Sequence, residues 1–250
     1  MRECPFCAGR EDRTPPETLR LGEDPWQVRV VPNLYPAFER HEIVIHCAEH
    51  VRTFAELSLA QTHLVGEAWR RREAAAREEG YGYVHAFVNE GPSAGASLAH
   101  SHSQLVWLRD APPAVRAEAD ETCRLCELVS TERSEAARLV AERDGLVAIC
   151  PAAGRAPFEA LVTPIAHRGD AFGPALGSAL DLLAALVGAL RAVEGPVPWN
   201  AWLHAGAHWH LELVPRLSTF AGIELGAGIF VLTVAPEHGA AALRSALEAS

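Results

Sequence analysis

The 250-residue sequence has little positive charge, no long apolar run and no recognisable leader. Lysine and arginine total 22 against 32 aspartates and glutamates, a formal net charge of -10. A duplex-binding protein needs a basic face. The one short basic cluster, Arg70 to Arg72, lies in a helical pattern beside Glu73, Glu78 and Glu79, and a solvated helix face is expected there. Nucleic acid is therefore not an expected partner. A phosphate-bearing small molecule is still admissible, because it needs only local donors. The most apolar run, Leu182 to Leu190, sits between Asp181 and Arg191 and is far short of the roughly twenty residues of a membrane span. Cys4 and Cys7 come too early for a cleaved secretory leader. These absences predict a cytoplasmic chain with no membrane partner. With 49% hydrophobic and 22% charged residues, the chain can bury one large core or two fused smaller ones.

Of the six cysteines, four form two Cys-x-x-Cys pairs, Cys4/Cys7 and Cys123/Cys126. In a cytosolic chain this pattern favours metal over disulfides. Neither pair has the strand-then-helix context of a thioredoxin-like redox site. Cys47 and Cys150 stand alone in strand-like segments and read as small buried apolar residues.

The chain is written twice. The first half reads CPFC at 4–7, HEIVI at 41–45 followed by His50, then HSHSQ at 100–104. The second reads CRLC at 123–126, FEALV ending in His167, then HWHLE at 208–212. Glu42 and Glu159 each precede the following histidine (His50, His167) by eight residues. Strands are predicted over Val28–Val31, Ile43–His46, Tyr83–Val88 and Gln104–Leu108. Thr53-x-x-Glu56 reads as a capping box opening a helix to about Glu79, with Leu57, Ala60, Leu64 and Ala68 on its inner face. A second helix is predicted from about Pro174 to Val193, with Leu176, Leu180, Leu183, Val187 and Leu190 inward. Pro112, Pro113 and the polar run to Thr122 read as the connection, giving units 1–111 and 112–250. The expected fold is α+β: two repeats fused into one pseudo-twofold antiparallel sheet with helices packed on it.

A structural zinc takes four Cys or His ligands in a tetrahedron. A Cys-x-x-Cys turn supplies two thiolates, and histidines from later strands can close the site. The expected sets are Cys4, Cys7, His50 and His100 for a first zinc, and Cys123, Cys126, His167 and His208 for a second. Such closed sites leave no position for water and serve as anchors. On a strand, residues i and i+2 share a face, so His100, His102 and Gln104 point together. The preceding segment, Asn89 to Ser97, is rich in small residues that let backbone N–H groups approach phosphate oxygens.

These motifs resemble the galactose-1-phosphate uridylyltransferase family of the histidine-triad (HIT-like) superfamily. The resemblance runs through CPFC (4–7), VVPNLYPAF (30–38), AEH (48–50), NEGPSAGASLAHSHSQL (89–105), PFE (157–159), HWHLELVPRL (208–217) and GIELG (222–226). It implies that His102 is a nucleophile forming a covalent nucleotidyl-histidine, and that Gln104 orients the phosphoryl group. It further implies that Asn89, Gly95 and Ser97 line the phosphate path, Asn33 the nucleotide pocket, and that Glu224 contacts sugar. The implied reaction passes UMP from UDP-glucose to a hexose 1-phosphate such as galactose 1-phosphate. The alternative acceptor is inorganic phosphate, giving a phosphorylase acting on ADP-glucose or a dinucleoside polyphosphate. A zinc-stabilised nucleotide-binding module without catalysis is the third reading. The resemblance also implies a homodimer whose pocket a neighbouring chain completes.

Two departures stand out. Ser101 replaces the proline usual between the two histidines. Some relatives build the second metal site from a glutamate and late histidines, here Glu118, His204 and His210. The Cys123/Cys126 set is preferred because those cysteines have little other purpose. His210 and Glu212, the repeat counterparts of His102 and Gln104, read as a decayed copy. His41, His63, His85 and His238 match no motif and read as surface or core histidines.

Overall fold

The computed structural model describes residues 4–118 and 122–249. Ten strands run β1 (Leu19–Leu21), β2 (Val28–Pro32), β3 (His41–Ile45), β4 (Tyr83–Glu90), β5 (His102–Leu108), β6 (Leu139–Arg143), β7 (Leu146–Ile149), β8 (Ala160–Pro164), β9 (Trp199–His204) and β10 (His210–Pro215). Six helices accompany them: α1 (Leu59–Glu78), α2 (Pro113–Arg116), α3 (Arg124–Glu135), α4 (Leu176–Glu194), α5 (Gly222–Ala227) and α6 (Pro236–Glu248).

All ten strands form one sheet in the order β1-β2-β3-β5-β4-β9-β10-β8-β7-β6, and every pairing is antiparallel. Adding five to each strand number of the first half reproduces the second half from the opposite edge. The seam is the β4–β9 pair, with Phe87 opposite Trp202 and Asn89 opposite Asn200. The α+β sheet expected from the repeat is therefore present.

The sheet has two unlike faces. Val84, Ala86, Val88, Leu105, Trp107, Ala201 and Leu203 point to one side and are buried. Helices α1 and α4 cover that side and pack on each other. They cross where a Cβ on Gly66 would lie 3.4 Å from the Gly177 backbone, so only small residues allow this approach. The opposite face carries His85, Phe87, Asn89, Gln104, Asn200 and Trp202, all half-buried. Strand alternation thus separates a structural face from one available to a ligand.

Helix α4 is long and apolar enough to cross a membrane by length and composition. Here it is a core helix, with Leu176, Leu180, Leu183, Val187 and Leu190 all buried as the periodicity predicts. Helix α1 differs from expectation. Thr53 caps only a 3-10 turn, Phe54–Glu56, and α1 starts six residues later behind the Ser58 cap. Its inner face is consequently Thr62, Val65, Ala68, Trp69 and Ala76, while Ala60 is exposed. Arg72 also turns inward, paired at 2.9 Å through two bonds with the buried Glu42, so the Arg70–Arg72 cluster is not wholly a solvated face.

Candidate active site and metal centres

Two Cys-x-x-Cys turns and four histidines converge as two separate groups. In each group the four ligand atoms lie within 4.8 Å of one another: Cys4, Cys7, His50, His100, and Cys123, Cys126, His167, His208. A tetrahedral zinc with S and N ligands places sulfur and nitrogen about 3.5 Å apart, given bond lengths of about 2.3 and 2.05 Å. The separations here are 3.3 Å for Cys7 Sγ to His50 Nδ1 and 3.6 Å for Cys4 Sγ to His100 Nδ1. In the second group they are 3.3 Å for Cys123 to His208 and 3.4 Å for Cys126 to His167. Both donor sets fit the ion.

The outer ring nitrogens support the same reading. His100 Nε2 donates to the Cys47 carbonyl at 3.0 Å, and His208 Nε2 donates to the Pro164 carbonyl at 2.9 Å. Each bond fixes the tautomer and leaves the Nδ1 lone pair aimed at the thiols. Cys123 caps α3, so the second knuckle does open a helix. It does so in a wholly antiparallel sheet, without the strand–helix–strand unit of a redox site.

A third group, Glu118, His204, His210 and Glu212, gathers beside the second. The carboxylate set and the Cys123/Cys126 set are therefore distinct places, and not alternative descriptions of one. In the third group His204 Nδ1 and Glu118 Oε1 are 2.6 Å apart, and His210 Nε2 and Glu212 Oε1 are 3.2 Å apart. The former is a hydrogen bond, shorter than the roughly 3.3 Å between N and O ligands on zinc.

His102 opens β5 directly after the glycine-rich loop. Its Nδ1 donates to the His100 carbonyl at 2.7 Å, which leaves the Nε2 lone pair free. Phe6, from the first knuckle, meets the ring edge to face at 5.4 Å. Burial lowers the His102 pKa, with the His100 bond opposing, so the ring is neutral near pH 7. Gln104 lies one step along the same face. Its Oε1 accepts from His41 Nε2 at 2.8 Å, and the Ala37 N–H donates to His41 Nδ1 at 3.3 Å. Those contacts orient the Gln104 amide so that its NH2 group faces away from His41. Asn33 Nδ2 approaches the same ring at 3.3 Å.

The loop between β4 and β5 is tied to the seam. Asn200 Nδ2 donates to Asn89 Oδ1 and to the Ala94 carbonyl, both at 2.8 Å. Gly91 adopts φ +86°, and a Cβ there would lie 2.9 Å from Pro198 Cβ. Gly95 is left-handed at φ +90°. A cavity of about 390 Å³ opens between this loop, His102 and the end of α4, with Ser97, Arg52 and Arg191 on its wall. The geometry brings a neutral imidazole, a turn of small residues and two arginines to one cavity wall, with the oriented Gln104 amide one step along the strand.

The second repeat lacks this arrangement. His210 Nδ1 is buried without a partner among the described residues, and its Nε2 is engaged by Glu212. Burial would raise the Glu212 carboxyl, but the His210 bond and Arg155 outweigh it and hold the pKa at about 2. A carboxylate therefore stands where the first repeat has Gln104.

These features decide the family. Residues 35–113, which span the loop and the His-x-His-x-Gln strand, match galactose-1-phosphate uridyl transferase, N-terminal domain. The chain is 30% identical to ADP-glucose phosphorylase of Arabidopsis thaliana, over 96% of this chain and 81% of the relative. It belongs to the galactose-1-phosphate uridylyltransferase family. Within that family it is 24% identical to the galactose-1-phosphate uridylyltransferase of Thermotoga maritima, over 97% of this chain and 89% of the relative. The crystal structure of the Arabidopsis thaliana ADP-glucose phosphorylase with bound ADP-glucose superposes with a TM-score of 0.86 at 27% identity, covering 96% of this chain and 90% of that one.

Sequence reasoning missed His41, Asn200, Arg52 and Arg191. His41 and Asn200 sit at β3 and β9 positions on the ligand face, and strand alternation relative to Gln104 and Asn89 was the available signal. Glu224 is not brought to His102 within one chain. It lies in α5, accepts a bond from the Ala221 N–H at 2.9 Å, and the segment beyond it lies against Arg155 and Glu212.

Proposed function

We propose that this family member is a nucleotidyltransferase that takes a nucleoside monophosphate from a nucleoside-diphosphate sugar onto His102 and passes it to a phosphate-bearing acceptor. The observation that carries the reading is the bond from His102 Nδ1 to the His100 carbonyl. It leaves the Nε2 of an uncharged ring on the cavity wall uncommitted, and a neutral imidazole is a competent nucleophile.

In the first step Nε2 attacks the α-phosphorus. A P–N bond forms, the bond to the bridging oxygen breaks, and the sugar 1-phosphate leaves with the electron pair. The ring then carries positive charge, which the His100 carbonyl stabilises through Nδ1–H. Gln104 and the loop amides take the charge spread over the phosphoryl oxygens. In the second step an acceptor oxygen attacks the same phosphorus and returns the electron pair to Nε2. No separate base is required, because a phosphate acceptor is already an anion.

The motifs point to UMP transfer onto a hexose 1-phosphate. Similarity to an ADP-glucose phosphorylase over 96% of the chain supports a second reading: an adenosine donor with inorganic phosphate as acceptor, yielding ADP. Zinc in the two Cys/His sets is part of the proposal. It would be held by Cys4, Cys7, His50 and His100, and by Cys123, Cys126, His167 and His208, where it anchors the knuckles to the strands. Reduced thiolates of this kind suit a cytoplasmic setting. Leu34, Tyr35, Phe38, Leu225, Ile229 and Val231 are exposed and fit a homodimer in which Glu224 of a second copy completes the sugar side.

Incubation with UDP-glucose and with ADP-glucose, each labelled at the α-phosphate and without acceptor, tests the proposal. An acid-labile labelled protein from one donor names the base. Discharge of that label by inorganic phosphate or by a hexose 1-phosphate names the acceptor. Absence of label from either donor contradicts the reading.

A further inference from the structure

The strand that carries His102 presents two serines to the opposite face, and neither is needed for packing. Ser101 and Ser103 flank the histidine and point toward the helices, where their companions on β5 are Leu105 and Trp107. Ser103 is fully buried and Ser101 nearly so. A buried hydroxyl costs free energy unless it is paired, so apolar residues at both ends of each pair would satisfy this face more cheaply. Both hydroxyls are paired, each to a ring that is itself buried. His46 Nδ1 lies 2.9 Å from Ser101 Oγ. Trp69 Nε1 on α1 donates to Ser103 Oγ at 2.8 Å.

His46 has no evident structural purpose. Its ring is wholly buried, packs edge to face on Phe54 at 5.2 Å, and leaves Nε2 without a partner among the described residues. A leucine there would avoid the cost of an orphan polar atom. The backbone around it is fastened as well. Gln61 on α1 donates to the His46 carbonyl, the His46 N–H donates to the Ser101 carbonyl at 3.3 Å, and the Ser101 N–H donates to the Val51 carbonyl at 2.8 Å. Polar groups kept at a stability cost beside a reacting residue mark a positioning role.

We propose that Ser101 and Ser103 are positioning residues, held from the helix side by His46 and Trp69, and that they set the attack angle of His102. The site-facing neighbour, His100, is fixed by the bond from its Nε2 to the Cys47 carbonyl. The strand is thereby held at three of four successive residues: His100 from the front, Ser101 and Ser103 from behind. A misplacement of about 1 Å in an attacking atom costs on the order of a hundredfold in rate. This inference rests on His102 being the nucleophile.

The test is single-turnover labelling of the zinc-replete protein with the α-labelled donor, alongside donor KM and thermal midpoint. Ser101→Ala and Ser103→Ala are each expected to slow labelling about ten- to a hundredfold, with donor KM within about threefold and a modestly lowered midpoint, because each leaves a buried ring nitrogen unpaired. Ser101→Thr, which keeps the hydroxyl, is expected to restore most of the rate. His46→Leu is expected to match Ser101→Ala, and the double variant to be no slower than either single one, as for one shared interaction. If His46→Leu does not fold, the alanine and threonine variants decide. Wild-type rates in both alanine variants, or an equal rate loss in a core variant that is remote from the site and equally destabilised, overturn the proposal while leaving His102 as nucleophile. Failure of the wild-type protein to label removes both.

Discussion

At the residue scale, the site depends on which nitrogen of each ring is free. His100 and His102 are two residues apart on one strand face, yet their tautomers are opposite. His100 commits Nε2 to a carbonyl and offers Nδ1 to the thiols, whereas His102, on the cavity wall, commits Nδ1 and leaves Nε2 uncommitted. Gln104 has a comparable constraint through His41. His41→Ala should free the amide to rotate and lower the labelling rate about tenfold, a typical loss for one orienting contact of about 1.4 kcal/mol. Gln104→Glu should be worse, at least a hundredfold, because it recreates the carboxylate that Glu212 places in the second repeat. Rapid-quench labelling measures both, and a Gln104→Glu variant labelling at the wild-type rate contradicts the assigned role. The pH dependence follows from burial of His102. With its pKa below the ordinary 6.5, the labelling rate should be flat from pH 8 down to 6.5 and decline only below it. His102 at the head of β5 and the two Cys/His groups were legible in the sequence because chemistry restricts those positions to few residue types. His41, Ser101 and His46 were not, since support of a neighbour imposes no spacing that one sequence reveals.

At the element scale, the repeat gave the strand order its symmetry. Two units that each end in an edge strand, β4 and β9, join at that edge and remove two exposed edges at once. Strand positions were legible from alternation, whereas the start of α1 was not. Thr53 and Ser58 both carry N-cap chemistry, and which one begins the long helix depends on how Phe54 packs against α4 and Trp199. The run of small residues before His102 was legible as a tight loop, but not its tether to β9 through Asn200. Gly91→Ala tests the loop's backbone. At φ +86° with Pro198 2.9 Å away, the change should destabilise the fold by about 1–3 kcal/mol, seen as a lower urea midpoint. An unchanged midpoint would mean that the loop relaxes freely.

At the scale of the whole molecule, several buried histidines are neutral in the fold. Burial lowers His46 and His85, the latter to about 4 with His204 adding to the effect. An unfolded chain protonates the same groups near 6.5. Between 6.5 and 4 the unfolded state therefore binds more protons, and stability falls as pH falls through that window. Urea midpoints measured from pH 8 to pH 4 should be level above 6.5 and decline below it. A midpoint that rises on acidification contradicts this. Metal should matter as much as pH. Analysis is expected to find close to two zinc per chain, and chelation to unfold the protein; a protein that keeps its fold and only one ion would remove the second centre.

One measurement bears most directly on the central claim. The protein labelled from an α-labelled nucleotide sugar is digested under alkaline conditions that preserve phosphoramidates, and the modified peptide is sequenced by mass spectrometry in the wild type, His102→Ala and His210→Ala. The expected result is a nucleotidyl group on His102, retained in His210→Ala and absent from His102→Ala. A label that persists in His102→Ala, or that maps to His210, contradicts the account.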